Sequence, residues 1–278
     1  MFKYNINMKK ITFFTAAMVS AMTTGMATTF TSCTEANNLK SSIKAEIDDN
    51  DAEDGEVVTQ NRKVSKFTGI RIEGAPTVKF VQGDKFDVKV KGRKDLVDKI
   101  KTEVEGNTLV VSLKSKISFS FFKNNRKQQM PVVYVTSPDL VGVELAGSGD
   151  FICDGPIDTD RLDIHLAGSG DVDFNGSIIC DDLKVELNGS GDVEIKDVES
   201  ISSSLQLIGS GDIKVNQKKV ENTRVQLIGS GDIKVNFDNC RNVESSLAGS
   251  GDIMLKGNIS GKLNKAKAGS GDYTIDLH

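Results

Sequence analysis

The chain has no tryptophan, only four prolines and only two histidines, and its 35 lysines and arginines are outnumbered by 39 acids. Each shortage removes a class of protein. His165 lies in an outward polar position and His278 is the final residue; neither stands beside a nucleophile, so a histidine-based catalytic triad has no members. An acidic balance lacks the basic face that phosphate backbones require, and nucleic acid is not expected as a partner. What is plentiful is glycine, 26 residues, alongside many Val, Ile, Asp and Asn. That mixture favours short strands and tight turns over helices. The 278 residues are enough for one large domain or two small ones.

The first 32 residues stand apart. Lys3, Lys9 and Lys10 precede a run from Ile11 to Phe30 that carries no charge. Thr15, Ser20, Thr23 and Thr24 make this run weakly hydrophobic, which predicts a secretory signal over residues 1–32 in preference to a permanent span. Two cleavage points compete. Thr31-Ser32-Cys33 sets a small residue directly before a cysteine, as relaxed bacterial lipoprotein signals do, and makes Cys33 the lipidation site; Gly25-Met26-Ala27 offers ordinary cleavage after Ala27. Losing Lys3, Lys9 and Lys10 takes the formal charge from -4 to -7. Residues 33–61 then read as an acidic disordered tether, with eight acids between Thr34 and Gln60 against Lys40 and Lys44. An acidic export signal or a cation-binding tail is the other reading of that stretch. The expected address is the outer membrane or cell surface through a lipid anchor, with the periplasm as the alternative.

From Gly147 to Asp272 the tetrapeptide Gly-Ser-Gly-Asp occurs seven times at intervals of 20 or 21 residues. Aligned on Asp150, Asp171, Asp192, Asp212, Asp232, Asp252 and Asp272, the flanks form columns. Five residues before the Asp stand Leu145, Leu166, Leu187, Leu207, Leu227, Leu247 and then Lys267. Two residues earlier come Val143, Ile164, Val185, Leu205, Val225, Ser245 and Lys265, with polar residues such as Glu144 and His165 between the columns. After the Asp, the first and third positions are again apolar, from Phe151 and Cys153 to Tyr273 and Ile275. Alternation at period two is a strand with one buried face. A unit this short cannot close a core alone, so the repeats stack as strand, corner, strand and variable return. Lys262, Lys265 and Lys267 fall where earlier coils are apolar, which predicts a polar cap on the last coil.

Two glycines per corner permit positive φ or close backbone approach, and Ser and Asp bond nearby amides. Seven carboxylates about 4.8 Å apart repel unless each accepts hydrogen bonds or a cation sits between them. Turn-capping aspartates are the expected reading; calcium or ligand contact along the same column is the alternative. A carboxylate repeated in every coil is a structural signature before it is a catalytic pair, and no catalytic residue is assigned. Cys153, Cys180 and Cys240 are an odd set. Cys180 and Cys240 share a column three coils apart, roughly 14 Å, beyond disulfide reach, so buried free thiols are expected.

Residues 62–140 lack the tag but are strand-rich, with candidates at Val64–Ile72, Thr77–Val81, Phe86–Val90 and Pro131–Thr136, and a short helix at Asp95–Val104. Leu109, Val111, Leu113, Ile117, Phe119 and Phe121 share one parity of a long strand. This part is expected to cover the open first coil of a domain spanning 62–278, whose repeats occupy 141–278. At its tip Phe122, Lys123, Arg126 and Lys127 form a possible surface contact for a ligand, a partner or lipid headgroups; a solubilised loop with Phe119 and Phe121 packed inward is the plainer reading.

The strand-rich segment beginning near Arg62-Lys63-Val64, followed by iterated Gly-Ser-Gly-Asp, resembles the head GIN domain, or auto-transporter adhesin, family of exported Bacteroidetes proteins over residues 62–276. The resemblance implies an all-β, right-handed β-helix of about 20–21 residues per coil with an N-terminal strand-rich cap. It also implies a non-enzymatic adhesin-like protein, often a lipoprotein, binding glycan, matrix or envelope protein. A periplasmic scaffold and a polysaccharide-degrading β-helix enzyme are the alternatives. No cofactor is implied.

Overall fold

The computed structural model describes residues 56–114 and 130–278. Seven strands and one short helix precede the repeats: β1 (Val57–Arg62), β2 (Gly69–Gly74), β3 (Thr77–Gln82), β4 (Asp87–Arg93), α1 (Lys94–Val97), β5 (Ile100–Glu105), β6 (Thr108–Leu113) and β7 (Val132–Ser137). The repeats follow as β8 (Gly142–Gly147), β9 (Asp150–Cys153), β10 (Ile157–Asp158), β11 (Arg161–Gly168), β12 (Val172–Gly189) and β13 (Asp192–Gly209). They continue as β14 (Asp212–Lys218), β15 (Asn222–Gly229), β16 (Asp232–Cys240), β17 (Asn242–Gly249), β18 (Ile253–Ile259), β19 (Leu263–Gly269) and β20 (Tyr273–Leu277). Together they wind a β-solenoid of about seven turns.

The expected columns are the core. On the face before the corner, Leu145, Leu166, Leu187, Leu207, Leu227 and Leu247 stand in parallel register and are all buried. On the face after it, Phe151, Val172, Val193, Ile213, Ile233 and Ile253 do the same. Each such side chain contributes about 1.5–3 kcal/mol by leaving water. Phe151 lies between Phe80 and Phe174, with ring centroids at 6.2 and 5.4 Å, so aromatic packing thickens the core where the first coils meet.

The return is more ordered than its composition implied. It holds a third, shorter face on which Ile157, Ile178, Val198, Gln217 and Phe237 succeed one another in register, all buried. Gln217 is tolerated in the core because its amide donates to Ser203 Oγ at 2.7 Å and accepts from Thr223 Oγ1 at 2.6 Å. Cys153, Cys180 and Cys240 are free and buried, and burial pushes the thiols of Cys153 and Cys180 up to about 12. They are inert at neutral pH.

The N-terminal part adds coils of its own. β2 and β3 run parallel to β8 and β9, and β6 and β7 run parallel to β2 and β3 on their far side. Beyond these the direction reverses: β5 pairs antiparallel with β6, β4 with β7, and β1 with β4. Leu96, Val97 and Ile100 are buried there and close the end of the core. The helix expected over Asp95–Val104 is therefore one turn, Lys94–Val97, and the rest is β5. Pairing with β6 outweighs the local apolar spacing. The strand expected from Val64 starts at Gly69. The stretch expected to stay unfolded through residue 61 is strand from Val57, because β4 supplies its hydrogen-bond partners. Leu109 and Val111 are buried as expected, while the continuation through Ile117, Phe119 and Phe121 lies outside the described residues.

Candidate functional site

The Gly-Ser-Gly-Asp corner is built by stacking. The first glycine of each copy has φ between 121° and 154°, which a side chain rarely adopts. The second needs glycine for space, since a Cβ on Gly170 would lie 1.8 Å from the carbonyl oxygen of Gly149. Between them, the backbone N–H of Ser169 donates to Gly147 O at 2.9 Å, and that of Ser190 to Gly168 O at 2.8 Å. The serine side chains point to solvent. An eighth corner lacks the tag: Gly74-Ala75-Pro76-Thr77 is in register with Gly147-Ser148-Gly149-Asp150, and Gly74 O accepts from the N–H groups of Ser148 and Gly149. In the sequence Gly74 and Pro76 mark only a break between two short strands; in the structure Gly74 takes a φ of 89°.

The seven aspartates form one column, and their repulsion is answered from within. The carboxylates of Asp171, Asp192, Asp212, Asp232 and Asp252 each accept the backbone N–H of the next aspartate in the stack, at 2.8–3.3 Å. Asp150 accepts from the Thr77 hydroxyl at 3.2 Å, and Asp272 pairs with Lys267 at 3.2 Å. Among the described residues no group of three or more His, Cys, Asp or Glu is arranged to hold a metal ion.

What differs from coil to coil lies on the outward positions two and four residues past each aspartate. Two past it stand Ile152, Asp173, Glu194, Lys214, Lys234 and Met254, neighbours in register. The face is therefore acidic over the early coils and basic over the later ones. In the acidic half, burial first and then Asp171, Glu194, Asp150 and Asp192 raise the pKa of Asp173 above its ordinary value. In the basic half, a shallow depression of about 230 Å³ is lined by Glu194, Lys214, Asn216, Lys234 and Asn236 over Ile195 and Val215. Asn236 Nδ2 donates to Asn216 Oδ1 and Asn216 Nδ2 to Lys196 O, both at 2.7 Å, so the amides are held in a ladder. A second open hollow, about 510 Å³, lies at the β3–β4 turn between Asp84, Lys85, Phe86, Asp87 and Thr136.

His165 faces outward with Nδ1 at 2.7 Å from Glu186, whose carboxyl is held below its ordinary value chiefly by Lys184. Lys267 does follow a column of Leu, and Lys265 a column that is apolar through Val225 and then Ser245; Lys265 lies over the Tyr273 ring at 5.5 Å. Lys262 does not: it aligns with Asn242 on the outward side, and the inward column continues through Leu263. Cys33, Phe122, Lys123, Arg126 and Lys127 lie outside the described residues.

A solenoid whose corners satisfy themselves and whose outward columns vary belongs to the quasi-one-dimensional repeat class. The chain belongs to the family described as "putative auto-transporter adhesin, head GIN domain", which matches residues 66–258 and 197–276. Among solved structures it is similar to a "putative adhesin" from Bacteroides fragilis, at 25% identity and TM-score 0.65 over 80% of this chain and 98% of the other. It is also similar to a "putative lipid binding protein" from Parabacteroides distasonis, at 28% identity and TM-score 0.64 over 80% and 98%. A "putative adhesin" from the same species shares the fold at 18% identity, TM-score 0.66, over 81% and 98%. No curated protein matches the chain.

Proposed function

We propose that the protein is an exported, non-enzymatic, adhesin-like binding module that meets glycan, matrix or envelope protein through the variable outward columns of its solenoid. The observation that carries this is the division of labour in each coil. The repeated residues are consumed by stacking, with glycine carbonyls and aspartate carboxylates bonded to the next coil, so partner recognition falls to the residues that change. The adhesin family supports an exported or surface location. Lipid attachment at Cys33 is the anchor in this reading; no helix among the described residues, which begin at Glu56, is long and apolar enough to cross a membrane. A glycan and matrix-protein array, run with and without calcium, tests the binding role: specific capture supports it, and no capture of any member contradicts it. A melting temperature indifferent to calcium is expected, since the column already has its hydrogen bonds. For the anchor, metabolic labelling with a fatty-acid analogue is expected to mark the protein and to be abolished in Cys33→Ser.

A further inference from the structure

Building on the binding role above, we infer that the basic half of the face after the corner is a site for an anionic polysaccharide, contacted by Lys196, Lys214, Lys234 and Lys256 around the amides of Asn216 and Asn236. Register places Lys214 beside Lys234 and Asn216 beside Asn236, with Lys256 following Asn236 and Lys196 preceding Asn216 in the same column. Neighbouring coils repeat every 4.8 Å or so, and Lys196 and Lys256 are three coils apart, so the four ammonium groups bracket a strip roughly 14 Å long.

Their own carboxylates do not quench them. Lys214 lies 3.9 Å from Asp212 and Lys234 3.7 Å from Asp232, long contacts between groups about 30–45% exposed. Such exposed, long pairs are weak and yield to a better anion. Like charges one coil apart are a cost to the free protein that a polyanion removes.

Three features select the ligand class. The depression is smaller than the roughly 300–1,000 Å³ of small-molecule pockets and is open, which suits a chain lying across several coils better than an enclosed molecule. No aromatic ring lines it, so there is no platform for stacking bases or neutral sugar rings, and charge is the handle. The asparagine ladder uses one donor of each amide and leaves the Asn236 oxygen and the second N–H of each amide for hydroxyl groups. Glu194, which lines the depression at its early end in register with Lys214, and Asp173 one coil before it turn an anionic chain away from the early coils, which fixes where it lies.

The test is binding of the full chain to heparin, polygalacturonate, neutral dextran and phosphatidylglycerol vesicles at 50 and 300 mM NaCl. The expected result is capture by at least one anionic glycan, weakened by salt, with none by dextran. Lys214→Gln/Lys234→Gln is expected to weaken it at least tenfold with an unchanged melting temperature. Lys218→Gln/Lys219→Gln, on the third face beside Asp197 and Glu199, is expected to stay within twofold. Absence of anionic-glycan binding, equal loss in both variants, or capture by vesicles alone overturns the inference. If the array nevertheless captures a protein or neutral glycan, the adhesin-like role stands and only the ligand class falls; if it captures nothing, both fall.

Discussion

The corner ridge and the two outward columns beside it are built from the same strands, yet they answer to different constraints. At the ridge each residue stacks on its own copy in the next coil, so glycine is demanded twice and five of the seven aspartate carboxylates are spent on a neighbouring N–H. Two residues further on, the side chain points at water and its identity runs from Asp173 to Met254 without disturbing the register. Repetition in a solenoid marks what holds the coil, and variation marks what the coil is free to present.

The sharpest way to break that comparison is to place a methyl group on the ridge. Gly211→Ala puts a Cβ about 1.8 Å from Gly191 O and is expected to cost about 3 kcal/mol, read as a lower midpoint in denaturant unfolding. Next in size, Asp192→Ala leaves the N–H of Asp212 without its 2.9 Å acceptor and is expected to cost about 1 kcal/mol. Asp192→Asn keeps an oxygen there and should fall within about 0.5 kcal/mol of the parent. A dependence on pH separates the two halves of the outward face. Burial and the surrounding carboxylates raise the pKa of Asp173 from its ordinary 3.8, so from that pH upward, until the raised pKa is passed, the folded chain holds more protons than the unfolded one. Stability falls as pH rises through that window, and the ionised group remains a cost above it. Asp173→Asn is therefore expected to raise the melting temperature at pH 7, with the gain disappearing at pH 3. Smallest of all, Lys214→Gln should change stability by no more than about 0.5 kcal/mol.

Period-two alternation made the faces before and after the corner legible, because their inward positions are Leu, Val, Ile or Phe in nearly every coil. The third face was hidden. It is short, interrupted by register shifts such as that between Phe174 and Ser177, and Gln217 stands in its apolar column. The corner at Gly74-Ala75-Pro76-Thr77 was also hidden, since Thr77 replaces the carboxylate and Pro76 the second glycine. Nor did the pattern reveal that β6 and β7 lie beyond β2 and β3: periodicity tells which face a residue takes, not which strand it pairs with. For the candidate site, Lys214 and Lys234 were readable as outward residues, but their grouping with Lys196, Lys256 and the asparagine ladder needed the register and the hydrogen bonds.

The most direct measurement sets ridge against column in one assay: capture on the glycan and matrix array by Asp192→Asn/Asp212→Asn and by Lys214→Glu/Lys234→Glu, each with its melting temperature. The ridge variant is predicted to retain or strengthen capture, and the column variant to lose it at an unchanged melting temperature. Loss of capture in the ridge variant with full retention in the column variant would contradict the assignment of scaffold and surface.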